Sequence, residues 1–105
     1  MTDKIVVLSM CASAEEAERI ARKLIDERLA ACVNIVPGAR SFYRWKGVVE
    51  DAAEYLMIIK SSRALFGRLR SELEKEHAYA VPEVLALPVV DGAPTYLSWM
   101  EGELG

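Results

Sequence analysis

One antiparallel sheet with two helices on a single face is the α+β fold this sequence predicts, and three observations carry it. A short, nearly continuous apolar run (Ile5-Val6-Val7-Leu8-Ser9-Met10) opens the chain, as a buried strand does. Residues 13–29 and 61–76 each carry apolar side chains at helical spacing behind a capping residue. Between them, residues 32–60 hold two extended runs rich in β-branched and aromatic residues around a polar centre. The resulting order is strand, helix, strand, strand, helix, strand and a last short helix. The first six elements are a βαββαβ layout of ferredoxin-like type, and a C-terminal helix is added to it.

Each element has its own reason. Ser13-Ala14-Glu15-Glu16 reads as a capping box: the Ser13 hydroxyl accepts the amide of Glu16, and Glu16 reaches back. Behind it Ala17, Ile20, Ala21, Leu24 and Ile25 form one apolar face of a helix running to about Leu29. The hairpin follows, interrupted at Pro37-Gly38, where a bulge or bend is expected. Lys46-Gly47 is the preferred turn, because glycine supplies the positive φ of tight hairpins; Glu50-Asp51 is the second choice. Ser61 or Ser62 caps the second helix, whose apolar face is Leu65, Phe66, Leu69 and Leu73. Glu83 to Val90 reads as a strand that Pro88 confines to an edge or bulge. After the Asp91-Gly92-Ala93-Pro94 turn, Thr95 caps a short helix with Tyr96, Leu97, Trp99 and Met100 on its apolar side.

The hairpin is out of scale with the rest. Arms of about a dozen residues at roughly 3.3 Å each reach some 40 Å, whereas a domain of this size has a radius of gyration near 13 Å. Its tip must overhang the core and leave Phe42, Tyr43, Trp45, Val48 and Val49 exposed, which predicts self-association.

Composition bounds the function. At 105 residues, 52% hydrophobic and 28% charged, the chain is a single globular domain spanning residues 1–105. A net charge of −3 gives no case for nucleic acid or an anionic membrane, and the N-terminal apolar run is too short for a signal peptide or a span. Cys11 and Cys32 form no CxxC pair, so reduced thiols in a cytoplasmic protein are expected.

Chemistry-bearing residues are few. His77, the only histidine, reads either as a metal ligand or proton carrier, or as a cation settling a helix C-terminus; the bare residue favours the helix-end cation. Cys11 stands at the first strand-to-helix junction, where a thiol can bind a soft metal or simply fill a core. Glu50, Asp51 and Glu54, with Arg44 and Lys46 nearby, read first as a solvated tip and second as a hard-cation or cross-subunit charge group. Lys60 closes an apolar arm and is either an anion ligand or an edge residue. There is no glycine-rich phosphate loop and no HExxH, and nothing in the sequence amounts to recognisable catalytic machinery, so an enzyme is not expected.

Several of these segments together resemble one family. Ala30-Ala31-Cys32-Val33-Asn34-Ile35-Val36-Pro37-Gly38 is similar to the signature of the CutA divalent-cation-tolerance family. Trp45-Lys46-Gly47, Glu54 with Lys60, Val81-Pro82-Glu83 and Tyr96-Leu97-Ser98-Trp99 resemble its remaining landmarks in the same order. The resemblance implies a homotrimer with hairpins packed between subunits, kinship with trimeric PII signalling proteins, and a link to Cu(II) or other divalent ions. It implies a metal site at Cys11 and His77, with Glu76 standing where the family has a second histidine and Ala78 where it has proline. Replacing an imidazole by a carboxylate shifts preference away from copper.

Three functions follow as expectations. The first is a homotrimeric metal-binding and metal-tolerance protein using Cys11, His77 and Glu76. The second is a PII-like sensor of a small molecule or anion, with inter-subunit clefts lined by Trp45, Arg44, Glu54, Lys60, Tyr79 and Glu83. The third is a trimeric scaffold for a protein partner.

Overall fold

A computed structural model describes residues 1–105. In chain order the elements are β1 (Lys4–Cys11), α1 (Ala14–Asp26), β2 (Cys32–Trp45), β3 (Val48–Ser62), a 3-10 turn (Arg63–Leu65) continuing into α2 (Phe66–Glu76), β4 (Leu85–Pro88) and α3 (Pro94–Glu103). The sheet order is β2-β3-β1-β4 with every neighbouring pair antiparallel, which is the ferredoxin-like α+β architecture.

The hairpin is as long as the sequence requires. Trp45 pairs with Val48 across a two-residue turn in which Lys46 (φ 51°) and Gly47 (φ 83°) are both left-handed, the geometry that matches strand twist. The register slips once, between Val36 and Ala39, where Gly38 takes φ 85° and Pro37 donates nothing to the ladder. The molecule measures 45 × 25 × 23 Å, and Phe42, Tyr43, Trp45, Val48 and Val49 are all exposed near the hairpin tip.

The core lies between one face of the sheet and the helices. Along β1 the alternate residues Ile5, Val7, Ser9 and Cys11 are buried, and they pair with the Ser61, Ile59, Met57 and Tyr55 positions of β3. Onto them pack Ala17, Ile20 and Leu24 of α1 and Leu69 and Leu73 of α2.

The other face of the sheet has no helix over it. Val6, Leu8, Met10, Leu56 and Ile58 are only half-buried there, and their neighbours Val36, Leu85 and Leu87 are exposed. The continuous apolar run of β1 reads as a strand covered on both sides, but within one chain only one side is covered. Strand alternation explains the difference: apolar residues on both faces of β1 supply a second hydrophobic face that this chain does not bury.

Boundaries differ in detail. Helix α1 stops at Asp26 rather than Leu29, because Arg28 adopts φ 57° and turns Leu29 into the core. Ser61 does not cap α2; its hydroxyl donates to the Leu29 carbonyl at 2.7 Å, while Ser62 precedes the 3-10 turn without a side-chain cap bond. Strand β4 is limited to four residues at the sheet edge, where Pro88 is tolerated. Helix α3 begins at Pro94, so proline at the first helical position replaces the Thr95 cap. Tyr96 and Trp99 remain exposed and Met100 alone is buried on α3.

Candidate metal centre

Three chain segments meet at the end of β1. Cys11 is the last residue of that strand and falls on the helix-facing side, fully buried. Two residues later Ser13 caps α1 by accepting the Glu16 amide at 3.2 Å. The Glu16 carboxylate does not return to the cap as a full capping box would have it. It accepts the Ala78 amide at 2.7 Å instead, and Glu16 is buried. His77 follows α2 in extended conformation (φ −80°, ψ 141°), which ends the helix and turns the ring inward.

The His77 ring is held from both sides. The Tyr79 amide donates to Nδ1 at 3.1 Å, so that nitrogen carries no proton, and Nε2 lies 2.6 Å from the Met10 carbonyl as a donor. The ring is buried and hydrogen-bonded within the fold, not exposed at a helix end as the bare residue suggests. Nε2 is 3.8 Å from Cys11 Sγ, and Nδ1 is 3.9 Å from Glu16 Oε2.

A thiol, an imidazole and a carboxylate thus lie within 4.8 Å of one another, all buried. Ligands around one transition ion, at bond lengths of about 2.0–2.3 Å, sit roughly 3–4 Å apart. Closing the group onto an ion therefore takes side-chain shifts of about an ångström or less. Burial, and next the negative charge of Glu16, push the Cys11 thiol up to about 12, so in the metal-free chain it holds its proton. The donor set fits a borderline divalent ion: sulfur and nitrogen give the affinity, and the carboxylate offsets charge.

The sequence reading pairs His77 with the adjacent Glu76, and the geometry differs. Glu76 Oε1 accepts from Arg19 at 3.0 Å, and the same guanidinium reaches the Glu76 carbonyl, so this carboxylate is engaged away from Cys11. Glu16 stands in the group in its stead. The signal for it was present: Glu16, Ile20 and Leu24 lie at i, i+4 and i+8, which puts an acid at the head of a buried stripe.

The other candidates separate into two places. Trp45, Glu54, Tyr79 and Glu83 line one cleft beside the cluster, and the Tyr79 hydroxyl donates to Glu54 at 2.6 Å. Burial, and next that bond, hold the Tyr79 phenol above its ordinary range. Lys60 is elsewhere, on the uncovered sheet face, donating to Asn34 with Cys32 Sγ 4.0 Å away. Arg44 pairs with Val49 in the hairpin and is not on the cleft wall. At the tip, Asp51 is taken by Arg40 in a two-point contact within the same chain.

Fold and site together define a class: a ferredoxin-like α+β domain with an overhanging β2–β3 hairpin and a buried Cys/Glu/His donor group at the end of its first strand. The family model described as CutA1 divalent ion tolerance protein matches residues 5–103, and the chain belongs to that family. The divalent-cation tolerance protein CutA of Thermus thermophilus is 45% identical over 100 residues, covering 95% of this chain and 97% of that protein. The chloroplastic CutA of Arabidopsis thaliana is 42% identical over 97 residues, covering 92% of this chain and 53% of that protein, so the chain spans about half of its length. The crystal structure of CutA from Xylella fastidiosa superposes with a TM-score of 0.96 at 38% identity, covering 99% of this chain and 100% of that one.

Proposed function

We propose that the chain works as a homotrimeric divalent-metal-binding protein in the response to metal ions, holding Cu(II) or a similar ion through Cys11, His77 and Glu16, without catalysis. The convergence of three buried donor types within 4.8 Å supports this reading most directly. A sulfur–nitrogen–oxygen set favours the late first-row ions, among which Cu(II) ranks highest at a given site.

The trimer is supported by two surfaces. The overhanging hairpin exposes Phe42, Tyr43 and Trp45, and the uncovered sheet face carries Leu8, Leu56, Ile58 and Leu85. Apolar area on that scale is what self-association buries. Two unpaired thiols accord with a reducing, cytoplasmic setting.

Calorimetric titration of metal-stripped protein with Cu(II) and Zn(II) tests the site. His77→Ala and Glu16→Gln are expected to weaken binding at least tenfold, and Glu76→Gln to leave it within twofold. Equal affinity of wild type, His77→Ala and Glu16→Gln would remove the assignment.

A further inference from the structure

Helix α1 holds the residues on either side of His77. Glu16 and Arg19 stand three apart on it, which puts them on one face of the helix. The Glu16 carboxylate accepts the Ala78 amide at 2.7 Å. The Arg19 guanidinium donates to Glu76 twice, from one nitrogen to Oε1 and from the other to the backbone carbonyl, each at 3.0 Å. His77 lies between the two held residues, its side chain buried and facing Cys11.

The two holds differ in the atoms they use. The Glu16 oxygen that receives the Ala78 amide, Oε2, is also the one 3.9 Å from His77 Nδ1. Glu16 belongs to the donor group, so its use as a ligand competes with its bond to Ala78. Both Arg19 bonds end on Glu76, outside the donor group, and nothing about that use disturbs them. The Glu76 carbonyl is among the last of α2, where the helix itself leaves acceptors without partners. A basic side chain caps such a carbonyl well, and here the neighbouring helix supplies it. A planar guanidinium with two parallel donors fixes direction as well as distance.

We infer that Arg19 is a positioning residue for the metal centre: its two-point hold on Glu76 keeps the end of α2, and with it His77, in place when the Glu16 carboxylate serves an ion. The role rests on the metal-binding reading proposed above and adds to it a residue that donates nothing to the ion. Arg19 is about half exposed, and exposed ion pairs stabilise a fold little, so its removal is read in the site and not in folding. Lys23 is the internal control. It too reaches from α1 to α2, 3.4 Å from Glu72, but one helical turn further from His77.

Metal-stripped wild type, Arg19→Met, Arg19→Lys, Glu76→Gln and Lys23→Met, titrated with Cu(II) by calorimetry and with Co(II) by visible absorption, test this. The Co(II) bands report ligand number and geometry, which a merely structural role would not move. Arg19→Met is expected to weaken Cu(II) at least tenfold and to change the Co(II) spectrum. Arg19→Lys, with one donor head for two acceptors, is expected to fall between. Glu76→Gln keeps both acceptor oxygens and Lys23→Met leaves the clamp alone, so both are expected to bind within twofold of wild type with its spectrum. In metal-free protein, amide hydrogen exchange at Ala78 and Tyr79 is expected to quicken at least tenfold in Arg19→Met and not in Lys23→Met. Wild type that binds neither ion would overturn the metal reading and the role of Arg19 with it. Wild type that binds while Arg19→Met is unchanged in affinity or in spectrum, or Lys23→Met weakened as much as Arg19→Met, would overturn the role of Arg19 alone.

Discussion

Glu16 and Ala78, 62 residues apart, are joined by a 2.7 Å hydrogen bond from the Ala78 amide to the Glu16 carboxylate. This contact holds the segment after α2 against the start of α1 and sets His77 opposite Cys11. It also explains why a residue at the third position of a helix, ordinarily occupied with its own cap, becomes part of a buried polar group. The metal-free arrangement satisfies each polar atom locally, so an ion must displace a thiol proton and the Nε2–Met10 contact, or the amide bonds to Nδ1 and Glu16.

The raised Cys11 thiol makes stability fall in alkali. Between the ordinary value of 9.0 and about 12 the folded chain keeps a proton that the unfolded chain has lost, so this contribution is full below pH 9 and is lost as pH rises toward 12. Lys4 acts in the same direction: hydrogen bonds from its ammonium to Asp3 and Glu101 raise it above 10.5. Denaturant melts at pH 8, 9, 10 and 11 are expected to show a steeper loss for wild type than for Cys11→Ala, whose baseline is lower but flatter. Parallel slopes would mean that the thiol is not desolvated.

The proposed metal binding is expected to carry the opposite pH dependence. Because the thiol is protonated in the free chain, binding at the proposed site is expected to release its proton, with apparent affinity rising about tenfold per pH unit until pH approaches about 12. Calorimetry in buffers of different ionisation enthalpy counts that proton. Cys11→Ser is expected to lose both the affinity and its pH slope.

Leu24 and Ile25 are sequence neighbours with different fates. Leu24 is fully buried against the sheet, whereas Ile25 is 40% exposed although its spacing assigns it to the same face. Leu24→Ala is expected to cost about 2–5 kcal/mol through the cavity it leaves, and Ile25→Ala about 1 kcal/mol or less. Urea unfolding of the two variants checks the difference.

Trp45→Glu tests the hairpin as an assembly device. Trp45 is 42% exposed beside the turn, so the isolated chain tolerates a charge there, but a subunit boundary does not. Light scattering is expected to show loss of the trimer or marked weakening. An unchanged trimer would move the interface away from the tip.

Much of this molecule is legible in its sequence, and the reasons are physical. The Lys46-Gly47 turn, the bulge at Pro37-Gly38 and the edge position of Pro88 are local backbone constraints, so a local reading finds them. Cys11 and His77 approach to 3.8 Å because the fold brings a strand end and a helix end together, residues that the sequence also singles out. Glu16 escapes because its local role as a capping residue is satisfied in sequence, and only the tertiary contact with Ala78 redirects it. Lys60 misleads for a similar reason. It lies on the same strand as Glu54 but six residues, three repeats of the pleat, away, where Asn34 and Cys32 receive it. The uncovered sheet face was hidden in plain composition, since a β1 that is apolar on both faces does not reveal whether its own chain or another one supplies the second cover.

Under the proposed trimer, that face ties folding to abundance. If copies of the chain supply the cover that Val6, Leu8, Leu56 and Ile58 lack, as the proposed trimer has it, part of the protein's stability is expected to come only after the chains meet. By mass action its thermal midpoint then climbs with protein concentration, which a self-sufficient monomer does not show. Under that assembly, newly made chains at low dose are the vulnerable ones, and dilution alone is expected to destabilise the fold.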